Sequence, residues 1–111
     1  MSIFDSFKSS DLQSLGATMA DDVARRFPPT LENAKSGGVS ANRVTNALER
    51  AYAKAEEIHK ANPLGWFRKA KLGQLFKLRL QELGYSEAFV DVATEGLIVT
   101  LTKSGKSSSV R

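Results

Sequence analysis

Apolar residues recur at intervals of three and four through residues 41–61, and no proline or glycine interrupts the spacing. This spacing lines up the repeating side chains on one face of an α-helix. They are Val44, Ala47, Leu48, Ala51, Ala55 and Ile58. The residues between them are good helix formers, and Asn62–Pro63 ends the segment. The sequence therefore predicts an amphipathic helix over 41–61.

Two further segments have the same helical spacing. In residues 10–27 the stripe is Leu12, Leu15, Met19, Val23 and Phe27, and Pro28 and Pro29 end it. In residues 64–83 the apolar side consists of Leu72, Leu75, Phe76, Leu80 and Leu83, and Gly84 is a natural stop. We predict a helix over each segment. The residues between the first two helices, 28–40, are predicted to form a surface loop.

Residues 86–103 allow two interpretations. Phe89, Ala93, Leu97 and Leu101 recur every four residues after Ser86, a suitable N-cap, which favours a helix. Against this, the segment is rich in β-branched residues, and "TEG" at 94–96 could form a hairpin turn. The capped start favours the helix.

The resulting fold class is all-α, a compact bundle of about four helices over 10–27, 41–61, 64–83 and 86–103. The alternative is an α+β fold with three helices and a C-terminal β-hairpin at 88–102. A length of 111 residues fits a single domain. We expect one helical domain over 1–103 and a flexible polar tail over 104–111.

The composition argues against several kinds of chemistry. The chain has no cysteine and one histidine, His59, which lies among charged residues and is predicted to be exposed. One histidine without cysteine is too little for a metal site. His59 is also the only available base for a catalytic triad, and an exposed position among charged residues does not suit that role. We therefore expect no catalytic residues, no metal, no cofactor and no small-molecule substrate, and we predict that the protein is not an enzyme.

The basic charge is concentrated in one segment. Residues 63–84 contain five basic side chains and one acidic side chain, Glu82, whereas residues 85–102 contain three acidic and no basic ones. The basic segment also holds the only tryptophan. The candidate binding surface is Trp66, Phe67, Arg68, Lys69, Lys71, Lys77 and Arg79. Arg79 falls within the apolar side of its helix, so we expect its side chain to reach the rim or to pair with Glu82, Glu95 or Asp22.

Three hypotheses account for this basic segment. It is a solvated helix face, a surface that binds a second copy or a partner protein, or a nucleic-acid contact assisted by the basic tail. We take the second as the first functional hypothesis: a small non-catalytic interaction protein that binds through a helical surface. Nucleic-acid binding through residues 66–79 and the tail is the alternative, and an anionic membrane surface is the weakest of the partners.

The expected compartment is the cytoplasm. The first residues have no long apolar run of the kind found in secretory signals, and the lack of cysteine fits a reducing environment.

Overall fold

The computed structural model describes residues 9–33, 41–61 and 64–109, and the side chains at 11–32, 42–61 and 64–103. Five helices follow each other in these ranges: α1 (Ser9–Arg26), α2 (Pro29–Asn33), α3 (Ala41–Ala61), α4 (Trp66–Leu83) and α5 (Glu87–Ser109). No strand occurs in the described part of the chain, so the all-α prediction is confirmed and the hairpin at 88–102 is wrong.

The four long helices pack in a ring. α1 contacts α4, α4 contacts α5, α5 contacts α3, and α3 contacts α1. Helices α3 and α4 are consecutive in the chain, yet they lie diagonally across this ring. The side formed by α1 and α3 is therefore opposite the side formed by α4 and α5.

The helical spacing predicts the core correctly. Leu72, Phe76 and Leu80 of α4 are fully buried, and Leu75 and Leu83 pack against the same cluster. The stripe of α1 is buried as well, from Leu12 to Phe27. Burial of these apolar surfaces is the main favourable term in folding.

Helix α5 forms despite its β-branched residues because its apolar residues follow the helical period. Val90, Ala93, Leu97 and Leu101 are all fully buried and recur at three and four. Ser86 caps the helix as predicted, since its Oγ accepts a hydrogen bond from the N–H of Phe89 at 3.1 Å. The helix continues to Ser109, past the predicted end at 103.

The loop predicted for 28–40 contains a short helix, α2. Pro29 stands at its first position, where a proline fits because its fixed φ suits the helix and its missing N–H is not needed. Leu31 packs against the core, and Glu32 accepts hydrogen bonds from the backbone N–H and the hydroxyl of Ser86. Helix α2 thereby attaches the end of α1 to the start of α5. Residues 34–40 of the predicted loop lie outside the described residues.

The turn between α4 and α5 depends on Gly84. Its φ of 104° is in the left-handed region, and its N–H donates to the carbonyl of Gln81. The next residue, Tyr85, is buried, and its hydroxyl donates to the carbonyl of Phe27 at the end of α1. Burial, together with the negative charge of Glu32, raises the pKa of Tyr85 to about 12. Gly84 ends α4 at the position that the sequence predicts, and Tyr85 attaches the turn to the end of α1.

Candidate interaction surface

The candidate surface begins at the turn between α3 and α4. Leu64 is buried there, and its N–H donates to Nδ1 of His59 at 3.0 Å. The prediction that His59 is exposed is wrong: only 6% of this residue is accessible. Burial lowers the pKa of His59, and the positive charge of Lys69 lowers it further. The neutral imidazole of His59 accepts this hydrogen bond and thereby connects the end of α3 to Leu64, two residues before α4 begins.

The predicted binding residues do not share one face of α4. Residues eleven apart lie on nearly the same side of a helix, because eleven residues make about three turns. Three successive pairs have this separation, and each is rotated from the one before by about 100°. The pairs are Trp66 with Lys77, Phe67 with Leu78, and Arg68 with Arg79. The basic segment therefore presents three different surfaces.

The first surface lines a groove between α4 and α5. Trp66 and Lys77 lie on it with Lys69, and the volume of the groove is about 380 Å³. The remaining lining residues are Ala70, Gly73 and Gln74 of α4 and Thr94, Ile98 and Thr102 of α5. Thr94 also contributes a buried hydroxyl oxygen that has no hydrogen-bond partner among the described residues. The groove thus combines apolar walls with polar groups on its rim.

The second surface is the outward side of α4. Phe67 is 75% exposed, and Leu78 is exposed on the same side. Lys71 lies one helical turn after Phe67 and is also exposed. The ring centroid of Phe67 is 6.5 Å from that of Trp66, which is 79% exposed. The two aromatic rings therefore form a single exposed cluster at the start of α4.

The third surface faces α1, and its Arg79 is paired with two carboxylates. Nε of Arg79 lies 3.0 Å from a carboxylate oxygen of Asp21 on α1, and its Nη1 lies 3.1 Å from one of Glu82. The hydrogen bonds to these two carboxylates raise the pKa of Arg79. Glu82 was among the expected partners, whereas Asp21 was not, and Asp22 pairs with Arg25 instead. Arg79 therefore forms an ion pair between α4 and α1 and a second one within α4.

The exposed apolar residues belong to two neighbouring helices. Within the described side chains, every large hydrophobic residue that is exposed belongs to α4 or α5: Trp66, Phe67, Leu78, Val92 and Val99. Val92 and Val99 are one heptad apart on the outward side of α5. We name this surface the α4–α5 face; it comprises these five residues and the groove between the two helices.

The charges of the α4–α5 face are divided between its helices. On this face α4 contributes Lys69 and Lys77, which line the groove, whereas the described acidic side chains of α5 are Glu87, Asp91 and Glu95. Lys77, Asp91 and Glu95 border one small depression next to the groove. The face is therefore basic along one helix and acidic along the other.

Known proteins give no guide to this surface. No family model, no curated protein and no solved structure matches the chain.

The opposite side of the bundle carries a cleft that is not among the predicted sites. It lies between the end of α1 and the start of α3, has a volume of about 540 Å³, and is lined by Arg26, Asn42, Arg43, Asn46, Ala47 and Arg50. We name it the arginine cleft. The spacing of Arg43 and Arg50, one heptad apart, is the available sequence signal. The contribution of Arg26 depends on how α1 packs against α3.

The described residues hold no group of three or more histidine, cysteine or acidic side chains that could bind a metal ion. Within the same ranges, no helix is both long and apolar enough to cross a membrane. The two surface features described are the α4–α5 face, with its exposed apolar residues, and a cleft rich in guanidinium groups.

Proposed function

We propose that this protein is a non-catalytic interaction protein that associates with a second copy of itself through the α4–α5 face. The observation that carries the proposal is that every large exposed hydrophobic residue among the described side chains belongs to α4 or α5, which are neighbours in the bundle. Large apolar patches on a protein surface commonly mark an interaction site.

The distribution of charge on the α4–α5 face favours a second copy of the chain as its binding partner. A two-fold axis parallel to the helices would bring α4 of one copy over α5 of the other, at matching levels along the bundle. The basic helix would then contact the acidic helix twice, once in each half of a self-complementary interface. Such complementarity determines the orientation of the partners and suppresses wrong pairings.

The closest charge match involves Lys77. It borders the same depression as Asp91 and Glu95, so these residues are at one level of the bundle. In the proposed dimer, Lys77 would lie across from Asp91 and Glu95 of the second copy. No described carboxylate lies within ion-pair distance of Lys77 inside one copy.

Trp66 and Phe67 are the proposed anchors. Large aromatic side chains often supply much of the binding energy of an interface. Both rings are exposed in one copy, and each would bury a large apolar area against the second. Burial of both would give the interface its strongest apolar contacts.

A concentration series tests the association. We expect the mass from sedimentation equilibrium to rise from monomer to dimer with protein concentration. Trp66 is the only tryptophan, so its fluorescence emission should shift to shorter wavelength over the same concentrations. A mass that stays monomeric up to millimolar concentration would contradict the proposal.

Charge reversal tests the arrangement of the two copies. We expect K77E and E95K each to weaken the dimer, and the double variant K77E/E95K to recover it, because the charges then match again with their signs exchanged. K54E is the control, since Lys54 is exposed on α3, away from this face. If the double variant dimerises no better than either single variant, the proposed orientation is wrong.

Nucleic-acid binding through residues 66–79 and the basic tail remains the alternative proposal. It receives less support, because the basic side chains of α4 point to three surfaces and Arg79 is already paired with Asp21 and Glu82. A salt titration tests it: binding to phosphates weakens steeply as salt increases. We keep the cytoplasm as the proposed compartment because the chain has no cysteine.

A further inference from the structure

The arginine cleft brings together donors from two helices. Asn42, Asn46 and Arg50 recur every four residues and, with Arg43, form one strip along the first turns of α3. Arg26, in the last turn of α1, completes the cleft. None of the described lining residues is acidic.

A hydrogen bond between the two helices orders one wall of this cleft. Nε of Arg43 donates to the backbone carbonyl of Arg26 at 3.1 Å. This bond satisfies a carbonyl at the end of α1 and holds the Arg43 guanidinium against that helix. The position of one guanidinium is thus determined by the packing of α1 on α3.

The other two arginines of the cleft, Arg26 and Arg50, differ from the neighbouring Arg25 in that they have no described ion pair. Arg25 precedes Arg26 in the chain and is paired with Asp22, but Arg26 and Arg50 have no ion pair with any described carboxylate. The positive charges of Arg26 and Arg50 at one cleft favour an anion between them. The cleft therefore has excess positive charge at a defined position.

The donor set fits phosphate. Guanidinium groups bind phosphate oxygens through two parallel hydrogen bonds, and the carboxamides of the two asparagines add uncharged N–H donors. A volume of about 540 Å³ is within the usual range for small-molecule sites. Arg43 and Arg50 are about 10 Å apart along the helix axis, which suits a ligand with more than one phosphate group.

We infer that the arginine cleft is a phosphate-binding site that takes a ligand with at least two phosphate groups. The site is on the opposite side of the bundle from the α4–α5 face and does not depend on the proposed dimer. A free polyphosphate and the backbone of a nucleic acid offer the same phosphate oxygens, so the experiment includes one of each.

Titration calorimetry at fixed ionic strength tests the site with two probes, inorganic pyrophosphate and a single-stranded oligonucleotide. We expect one pyrophosphate to bind per chain. R26Q and R50Q should each weaken binding by about tenfold or more, which is the usual loss for a hydrogen bond to a charged group. R50K keeps the charge but loses the paired donors, and it should show an intermediate loss.

The chain offers matched controls for both variants. R25Q removes the same charge one residue from Arg26, and K54Q removes one charge a helical turn after Arg50. Neither Arg25 nor Lys54 lines the cleft. Both controls should bind clearly more tightly than R26Q and R50Q, because they remove a positive charge without removing a donor that lines the cleft.

The probes and controls decide between the outcomes. If pyrophosphate binds and both R26Q and R50Q weaken its binding, the cleft is a site for free polyphosphates. Oligonucleotide binding alone, with the same sensitivity, identifies a site for a nucleic-acid backbone. If R25Q and K54Q reduce binding as much as the cleft variants do, or if neither probe binds, the assignment is wrong. Circular dichroism of each variant checks that its helix content matches the wild type.

Discussion

Tyr52 of α3 and Gly96 of α5 are in direct contact, and a methyl group at position 96 would overlap the Tyr52 hydroxyl oxygen. That hydroxyl donates to the backbone carbonyl of Ala93 across 2.7 Å. Burial raises the pKa of Tyr52 to about 12. The small residue at 96 therefore lets a buried hydroxyl reach the backbone of the neighbouring helix.

This contact predicts coupled effects of two substitutions. G96A should destabilise the protein by about 1–3 kcal/mol through overpacking, although alanine has the better helix propensity. Y52F removes the hydroxyl, so the added methyl should be tolerated better in the Y52F/G96A variant. Urea denaturation of all four proteins measures the coupling free energy. Additive effects of the two substitutions would contradict the contact.

The hydrogen bond from Leu64 to His59 predicts a pH dependence. The folded pKa of His59 is below its ordinary value of 6.5, so the unfolded chain binds a proton more readily than the folded one. The free energy of unfolding should therefore fall as pH decreases below about 6.5, by at most about 1.4 kcal/mol per pH unit, until the folded pKa is reached. Above pH 6.5 this contribution is fully present.

The control for His59 is H59N. The Asn side-chain oxygen can accept the same hydrogen bond but does not titrate in this range. The difference in stability between the wild type and H59N should change between pH 7 and pH 5. Because the chain has a single histidine, one imidazole NMR signal reports its pKa directly. K69Q should raise that pKa, and an unchanged value would contradict the proposed role of the Lys69 charge.

The backbone conformation of Gly84 predicts a loss of stability when a residue with a Cβ replaces it. Its φ of 104° strains any residue with a Cβ, so G84A should cost about 1–2 kcal/mol. Asn tolerates the left-handed region better than Ala, and G84N should therefore cost less than G84A. Thermal unfolding of the two variants gives the comparison. Equal losses would mean that the backbone conformation is not the cause.

The ion pair between Arg79 and Asp21 predicts a small effect on stability. Both side chains are partly exposed, and Arg79 keeps Glu82 as a second partner when Asp21 is replaced. D21N should therefore lower the free energy of unfolding by less than about 1 kcal/mol. The difference should disappear in 1 M salt, where exposed pairs are screened. A larger loss that persists in salt would indicate that Asp21 has another structural role.

The helices could be predicted from the sequence because apolar spacing depends on local geometry alone. Leu72, Phe76 and Leu80 share a face in any α-helix, whatever it packs against. Helix α2 was missed because its five residues are too few to show a period, and its contact with Ser86 depends on the tertiary fold.

The sites were harder to predict because they depend on which helices are neighbours. The charged neighbours of His59 in sequence predict an exposed side chain, but His59 is buried and its Nδ1 accepts a hydrogen bond from the N–H of Leu64. The binding residues of α4 were grouped by sequence proximity, although Trp66 and Arg68 lie on different surfaces. The arginine cleft needs α1 beside α3, and no local pattern in either helix indicates that pairing.

The order of the helices around the bundle determines how many polyanions the proposed dimer could bind at once. The proposed dimer interface and the arginine cleft are on opposite sides of each bundle, so a dimer would carry its two clefts on its two outermost surfaces, directed away from each other. Such an assembly could not close around one short polyanion. It would instead bridge two of them, and multivalent ligands would be cross-linked into larger assemblies.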